Sequence, residues 1–183
     1  ATAASSSTTR ARRRPNARTP WARDAVPVHQ TGKVATLLPA DFDLTLLPTS
    51  EQRVCKAFLL GLDDTWFVVP CVPVVVDGTD CDIDVVLVAP TRGVIAVEVK
   101  GGVISIEAGK WIQNGHPLAK SPTQQVTTAK HNLMKRLRTN GVELEGMFVC
   151  HAVALPDVGS VPTGGLGPDA PAETSVVPAG PAA

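Results

Sequence analysis

Residues 83–89, IDVVLVA, and 94–100, VIAVEVK, are two strand-like runs separated only by the turn residues Pro90-Thr91-Arg92-Gly93. Val and Ile dominate both, without the regular polar alternation of a strand that has one wet face. Such a pair belongs in the middle of a sheet, which restricts the chain to an α/β fold with an α+β mixed sheet. The second run nevertheless ends with Glu98 and Lys100 one residue apart. A buried carboxylate and ammonium are costly unless each finds a partner, so the strand end needs an explanation beyond packing.

The other elements fall around this pair. Thr49 or Ser50 is a candidate N-cap for a helix with Glu51 and Gln52 in its first turn, a stripe of Val54, Ala57 and Phe58, and a stop at Gly61. Residues 66–75 are rich in β-branched side chains, but Pro70 and Pro73 confine that strand to an edge or split it. VISIEAGKWI, residues 103–112, reads as a hairpin turning at Ala108-Gly109. Ser121 caps a second helix that runs to Thr139, with Pro122 in its first turn and Val126, Ala129, Leu133 and Leu137 on one face. Residues 147–155, MFVCHAVAL, give a last strand. The predicted order is α-β-β-β-hairpin-α-β.

Six arginines and no acidic residue fall in residues 1–23, so the neutral total charge conceals a basic arm on an acidic body. Residues 1–35 read as a disordered Arg-rich arm and residues 157–183, rich in Gly, Pro and Ala, as a linker or tail, which leaves 36–156 as the folded domain. Four cysteines stand singly, without metal-site spacing, and read as reduced, buried small side chains. That implies a reducing, cytoplasmic setting. No apolar run reaches the length of a membrane span. His116, His131 and His151 lack mutual spacing for a metal and read as structural, and Trp111 as packing for the hairpin.

Side chains alternate along a strand, so Glu98 and Lys100 share a face, and the hairpin through residues 90–93 returns the end of the second strand to the beginning of the first, at Asp84. Asp84 and Glu98, with the Val99 carbonyl, form a hard oxygen set suited to Mg²⁺ or Mn²⁺. Beside them Lys100 can position or help deprotonate a water, and a phosphodiester is the fitting substrate.

Asp84, thirteen residues, then Glu98-Val99-Lys100 resembles the PD-(D/E)XK phosphodiesterase superfamily. Residues 50–137, with SEQRV, DIDVVLVAPTRGVIAVEVKGG, GKW and SPTQQV, resemble more specifically its nuclease-related (NERD) domain. The resemblance implies a restriction-endonuclease-like core, α-β-β-β-α-β, with an added hairpin. It implies Asp84 and Glu98 as metal ligands, Lys100 as the catalytic lysine, Glu51 as an accessory acid and Gln125 as a helix residue approaching the site. Helix register favours Gln125 over Gln124 for that place. Ser121 and Ile83 depart from the family, which often has Asn and Pro there. Kinase, zinc-ribbon and helicase modules are the fused or associated partners that the resemblance suggests.

Lys120, Lys130, Lys135 and Arg138 lie in a stretch free of acidic residues, and the last three sit with His131 on the helix side away from the apolar stripe. They are candidate phosphate contacts, with the arginine arm adding salt-sensitive affinity. The expectation is a metal-dependent nuclease acting on DNA, with RNA and homodimerisation left open, in repair, recombination or DNA turnover. The rival is a nucleic-acid-binding module that has lost turnover.

Overall fold

The computed structural model describes residues 33–76, 78–159 and 176–178. Most of the Arg-rich arm, and residues 160–175 and 179–183 of the C-terminal segment, lie outside the described residues.

Two strands carry the predicted hairpin, β3 (Thr79–Ala89) and β4 (Gly93–Val99). Around them stand β1 (Thr36–Leu37), β2 (Phe67–Val76), β8 (Phe148–Leu155) and β9 (Val176–Pro178), in the spatial order β1-β2-β3-β4-β8-β9. The sheet is mixed, with β2–β3 and β3–β4 antiparallel and β4–β8 parallel. Helix α1 (Thr49–Gly61) covers one face through Val54 and Cys55, which pack with Val85, Leu87, Val97 and Val99. Helix α2 (Pro122–Thr139) covers the other, setting Val126, Ala129 and Leu133 against Val86, Val94 and Ala96. Both faces of β3 and β4 are thereby buried, which is why their sequences show no polar alternation.

From α1 to β8 the order is α-β-β-β-hairpin-α-β, as the sequence predicts. The hairpin is β5 (Ile104–Glu107) and β6 (Lys110–Gln113), joined by Ala108 and Gly109, both with positive φ, the turn that matches strand twist. A short β7 (His116–Pro117), unpredicted, extends it to three strands. Trp111 packs this hairpin into the α2-side core at 3% exposure.

Other expectations change in detail. The N-cap of α1 is Pro48, not Thr49 or Ser50, and no side chain caps that end. Val54 and Phe58 pack on the core as expected, but Ala57 is exposed and Leu59, partly buried, takes its place in the stripe. Only Cys55 of the four free cysteines is buried, and Cys71 is exposed. Ser121, by contrast, forms a full capping box with Gln124. Residues 176–178, within the segment read as linker or tail, pair in parallel with Val153–Leu155. Among the described residues no helix is long and apolar enough to cross a membrane.

Candidate active site

Where β3 meets β4, the ladder runs from Ala89↔Gly93 to Val85↔Val97 and stops one rung short of Asp84 and Glu98. On the other side of β3, the β2 ladder skips only the Cys71–Asp84 rung, where Cys71 takes φ +51°. The alternation of both strands changes phase there. Val85 and Leu87 face α1 while Val86 faces α2, yet Ile83 also joins the α2-side core; in β2, Val68 faces α1 and Val74 faces α2. Asp84 therefore sits at a kink between two faces.

Its carboxylate fills the gap left by the missing rung: Asp84 Oδ2 accepts the Val99 N–H at 2.6 Å. On the far side of β4, Lys100 N–H donates to the Ala154 carbonyl at 2.9 Å. In that parallel register Val99 turns its own N–H and C=O away from β8, toward Asp84. Lys100 Nζ stands 2.6 Å from Glu98 Oε1 and donates to Gln125 Oε1 at 3.2 Å, and Gln125 Nε2 is held by the Lys120 carbonyl at 3.0 Å. Gln124 serves the helix cap, so of the two glutamines it is Gln125 that reaches the lysine.

Charge crowding shows in proton affinities. Burial, followed by the Asp84 charge, raises the Glu98 carboxyl, opposed by Lys100. Burial likewise raises Asp84 against the pull of the Val99 N–H. Glu51, half-buried in the first turn of α1, is pushed up to about 7 by burial and by Asp84 and Glu98. Three carboxyls, one ammonium and one amide thus act on one another from α1, β3, β4 and α2.

An open cleft of ≈ 420 Å³ adjoins this cluster, lined among others by Ser50, Glu51, Lys100, Gly101, Asn114 and Asp157. Among the described residues no three His, Cys, Asp or Glu side chains converge as a metal centre. The donors that could hold a cation are the two carboxylates and the Val99 carbonyl. A hard-oxygen set with open positions fits Mg²⁺ or Mn²⁺, which retain waters.

The basic residues are distributed differently. Lys120 directly precedes the α2 cap, near the site, whereas Arg138 lies thirteen residues beyond Gln125, about 20 Å along the helix axis. Lys135 and Arg138 are exposed, but Lys130 is half-buried, and its charge acts on Cys150 and His151 of β8. His151 meets Thr127 Oγ1 at 3.3 Å, a structural contact. Neither Arg53, which lies within SEQRV, nor Asp157 stands out in the sequence as a site residue. Asp157 stands two residues past the end of β8, and its place at the cleft depends on a contact 104 positions away in sequence, with Arg53.

A mixed sheet with a helix layer on each face, and an acid-acid-lysine cluster where its central strands part, defines an α+β protein of nuclease-like architecture. Residues 49–156, more than half of the chain, match the model of the nuclease-related domain, NERD, and the chain belongs to that family. No curated protein and no solved structure matches it.

Proposed function

We propose that the protein is a Mg²⁺- or Mn²⁺-dependent nuclease that hydrolyses phosphodiester bonds of DNA. The observation that carries this reading is the Asp84–Val99 contact beside the Lys100–Glu98 pair, which gathers two carboxylates, a carbonyl and an ammonium at one strand end. A soluble binding module gains nothing from burying such a set, since unpaired or crowded charges destabilise the fold. A bound divalent cation would supply charge neutralisation at the phosphate and acidify a bound water.

The chain's own residues supply the rest. Asp84, Glu98 and the Val99 carbonyl would hold the cation. Gln125 and Glu98 fix the Lys100 ammonium, which orients the attacking water and donates to a phosphoryl oxygen. Glu51, with its proton affinity near neutrality, accepts the proton of that water. The water oxygen bonds to phosphorus, one ester P–O bond breaks, and the leaving oxygen takes a proton from solvent. Lys120, Lys130, Lys135 and Arg138 contact backbone phosphates, without base reading.

The test is cleavage of linear, circular and single-stranded DNA and of RNA by the full chain, with Mg²⁺, Mn²⁺ or EDTA, beside Glu98→Ala. Metal-dependent cutting that the substitution abolishes supports the reading. Binding without cutting under every condition would assign the protein to the silent module.

A further inference from the structure

We propose that Arg53 and Asp157 form a clamp that positions the Val99–Gly102 turn, and with it Lys100, against the start of α1. This inference rests on the nuclease reading and adds two positioning residues to it.

Lys100 is followed by Gly101 and Gly102, where the chain leaves the sheet after the Lys100–Ala154 hydrogen bond. Nothing in the β4 ladder holds these two glycines, yet they form a wall of the cleft. Asp157 holds the second of them: its Oδ2 accepts the Gly102 N–H at 2.7 Å, and its Oδ1 accepts from Arg53 Nη1. Arg53 Nη2 donates to the Pro156 carbonyl at 2.7 Å, so one guanidinium fork grips both a carboxylate and the backbone beside it. From the other side Gln113 Nε2 donates to the Gly101 carbonyl at 2.8 Å, and Asn114 Oδ1 accepts the Val103 N–H at 2.9 Å.

The fit is close. A Cβ on Gly101 would lie 2.6 Å from Ser50 Cβ and 3.2 Å from Asp157 Oδ2, so the turn is pressed onto the first turn of α1. Arg53 stands two residues after Glu51 on that helix. The clamp therefore sets the separation of Glu51 from Lys100, which come from elements whose strands and helix share no backbone hydrogen bond. A guanidinium already engaged by a carboxylate is also withheld from substrate phosphate, so Arg53 acts on geometry rather than as a phosphate contact.

The experiment compares the wild-type full chain with Asp157→Ala, Asp157→Asn and Arg53→Ala. It measures kcat and KM for DNA cleavage, thermal unfolding, and hydrogen exchange of the Gly102 amide by NMR. Asp157→Ala should lower kcat roughly 10- to 100-fold, the scale of a small misplacement of reacting groups. Its KM should not rise, because freeing Arg53 adds an available cation at the cleft. Arg53→Ala should lower kcat similarly but raise KM, because it leaves Asp157 unpaired. Asp157→Asn, which keeps an acceptor for Gly102, should fall between, and is read in place of the alanine variant if that one does not fold. Gly102 exchange should quicken in every folded Asp157 variant. A kcat within about twofold of wild type, or a KM raised in step with the loss of kcat in Asp157→Ala, overturns the clamp. If the wild type cuts nothing, the nuclease reading fails, and Gly102 exchange alone decides the clamp: quickened exchange upholds it and unchanged exchange overturns it.

Discussion

Asp84 Oδ2 accepts the backbone N–H of Val99 at 2.6 Å, where the ladder between their two strands has ended at Val85↔Val97. One side chain thus satisfies a buried donor while presenting a carboxylate beside Glu98, a structural role and a proposed chemical one. The two roles separate in Asp84→Asn, which keeps an acceptor for Val99 but loses the charge. Activity should fall at least about 100-fold while the melting temperature holds or rises, since charge crowding with Glu98 and Glu51 is relieved. Asp84→Ala should in addition lose about 1–3 kcal/mol of stability from the unpartnered N–H. Denaturant titration of both variants beside their cleavage rates reads the difference.

Removing Lys100 leaves Asp84, Glu98 and Glu51 facing one another without their ammonium. Lys100→Ala should abolish cleavage and destabilise the metal-free protein more at pH 8 than at pH 5, where part of that charge is neutralised. Thermal unfolding at the two pH values checks this; an equal loss at both would argue against crowding.

Glu51 gives a pH signature with a definite sign. Its folded carboxyl titrates at about 7, above the ordinary 4.5, so between those values the folded state binds the extra proton. Stability is then fully present below pH 4.5 and is lost as pH rises through about 7. Asp84 and Glu98, also raised, act in the same direction. Unfolding in EDTA across this range should show a downward slope that Glu51→Gln makes shallower.

A divalent cation should reverse that slope. Mg²⁺ or Mn²⁺ at about 100 times its dissociation constant should add about 2.7 kcal/mol of stability. The gain should grow with pH and vanish in Glu98→Gln, as differential scanning fluorimetry with and without metal would show.

Lys135 and Arg138 lie far along α2 from the cleft. Their replacement by Ala should weaken DNA binding and reduce the salt dependence by about one unit of slope per residue, with kcat at saturating DNA retained. Fluorescence anisotropy over a salt series measures the slope.

Much of this arrangement was legible in the chain. Two apolar strands joined by Pro90–Gly93 could only be central, and Ser121-Pro122 could only begin a helix, because local periodicity and capping chemistry leave few alternatives. The same local pattern brought Asp84, Glu98 and Lys100 to one strand end. Register along α2 was enough to choose Gln125, because it places that residue next to the apolar stripe; that Gln124 closes the capping box is a finding of the structure.

What tertiary structure decided is everything that depends on residues distant in sequence. The phase change at Cys71 and Asp84 takes two strands acting together, so strict alternation within either one could not reveal it. Glu51 acquires its raised proton affinity only because α1 packs over β3 and β4. Asp157 reads as the first residue of a tail until Arg53 and Gly102 arrive beside it. Short-range sterics and burial made the elements, their order and the residues gathered at the strand end readable from the chain alone. The fold determined which charges meet, because Coulomb and hydrogen-bond energies depend on distances in space that only packing sets.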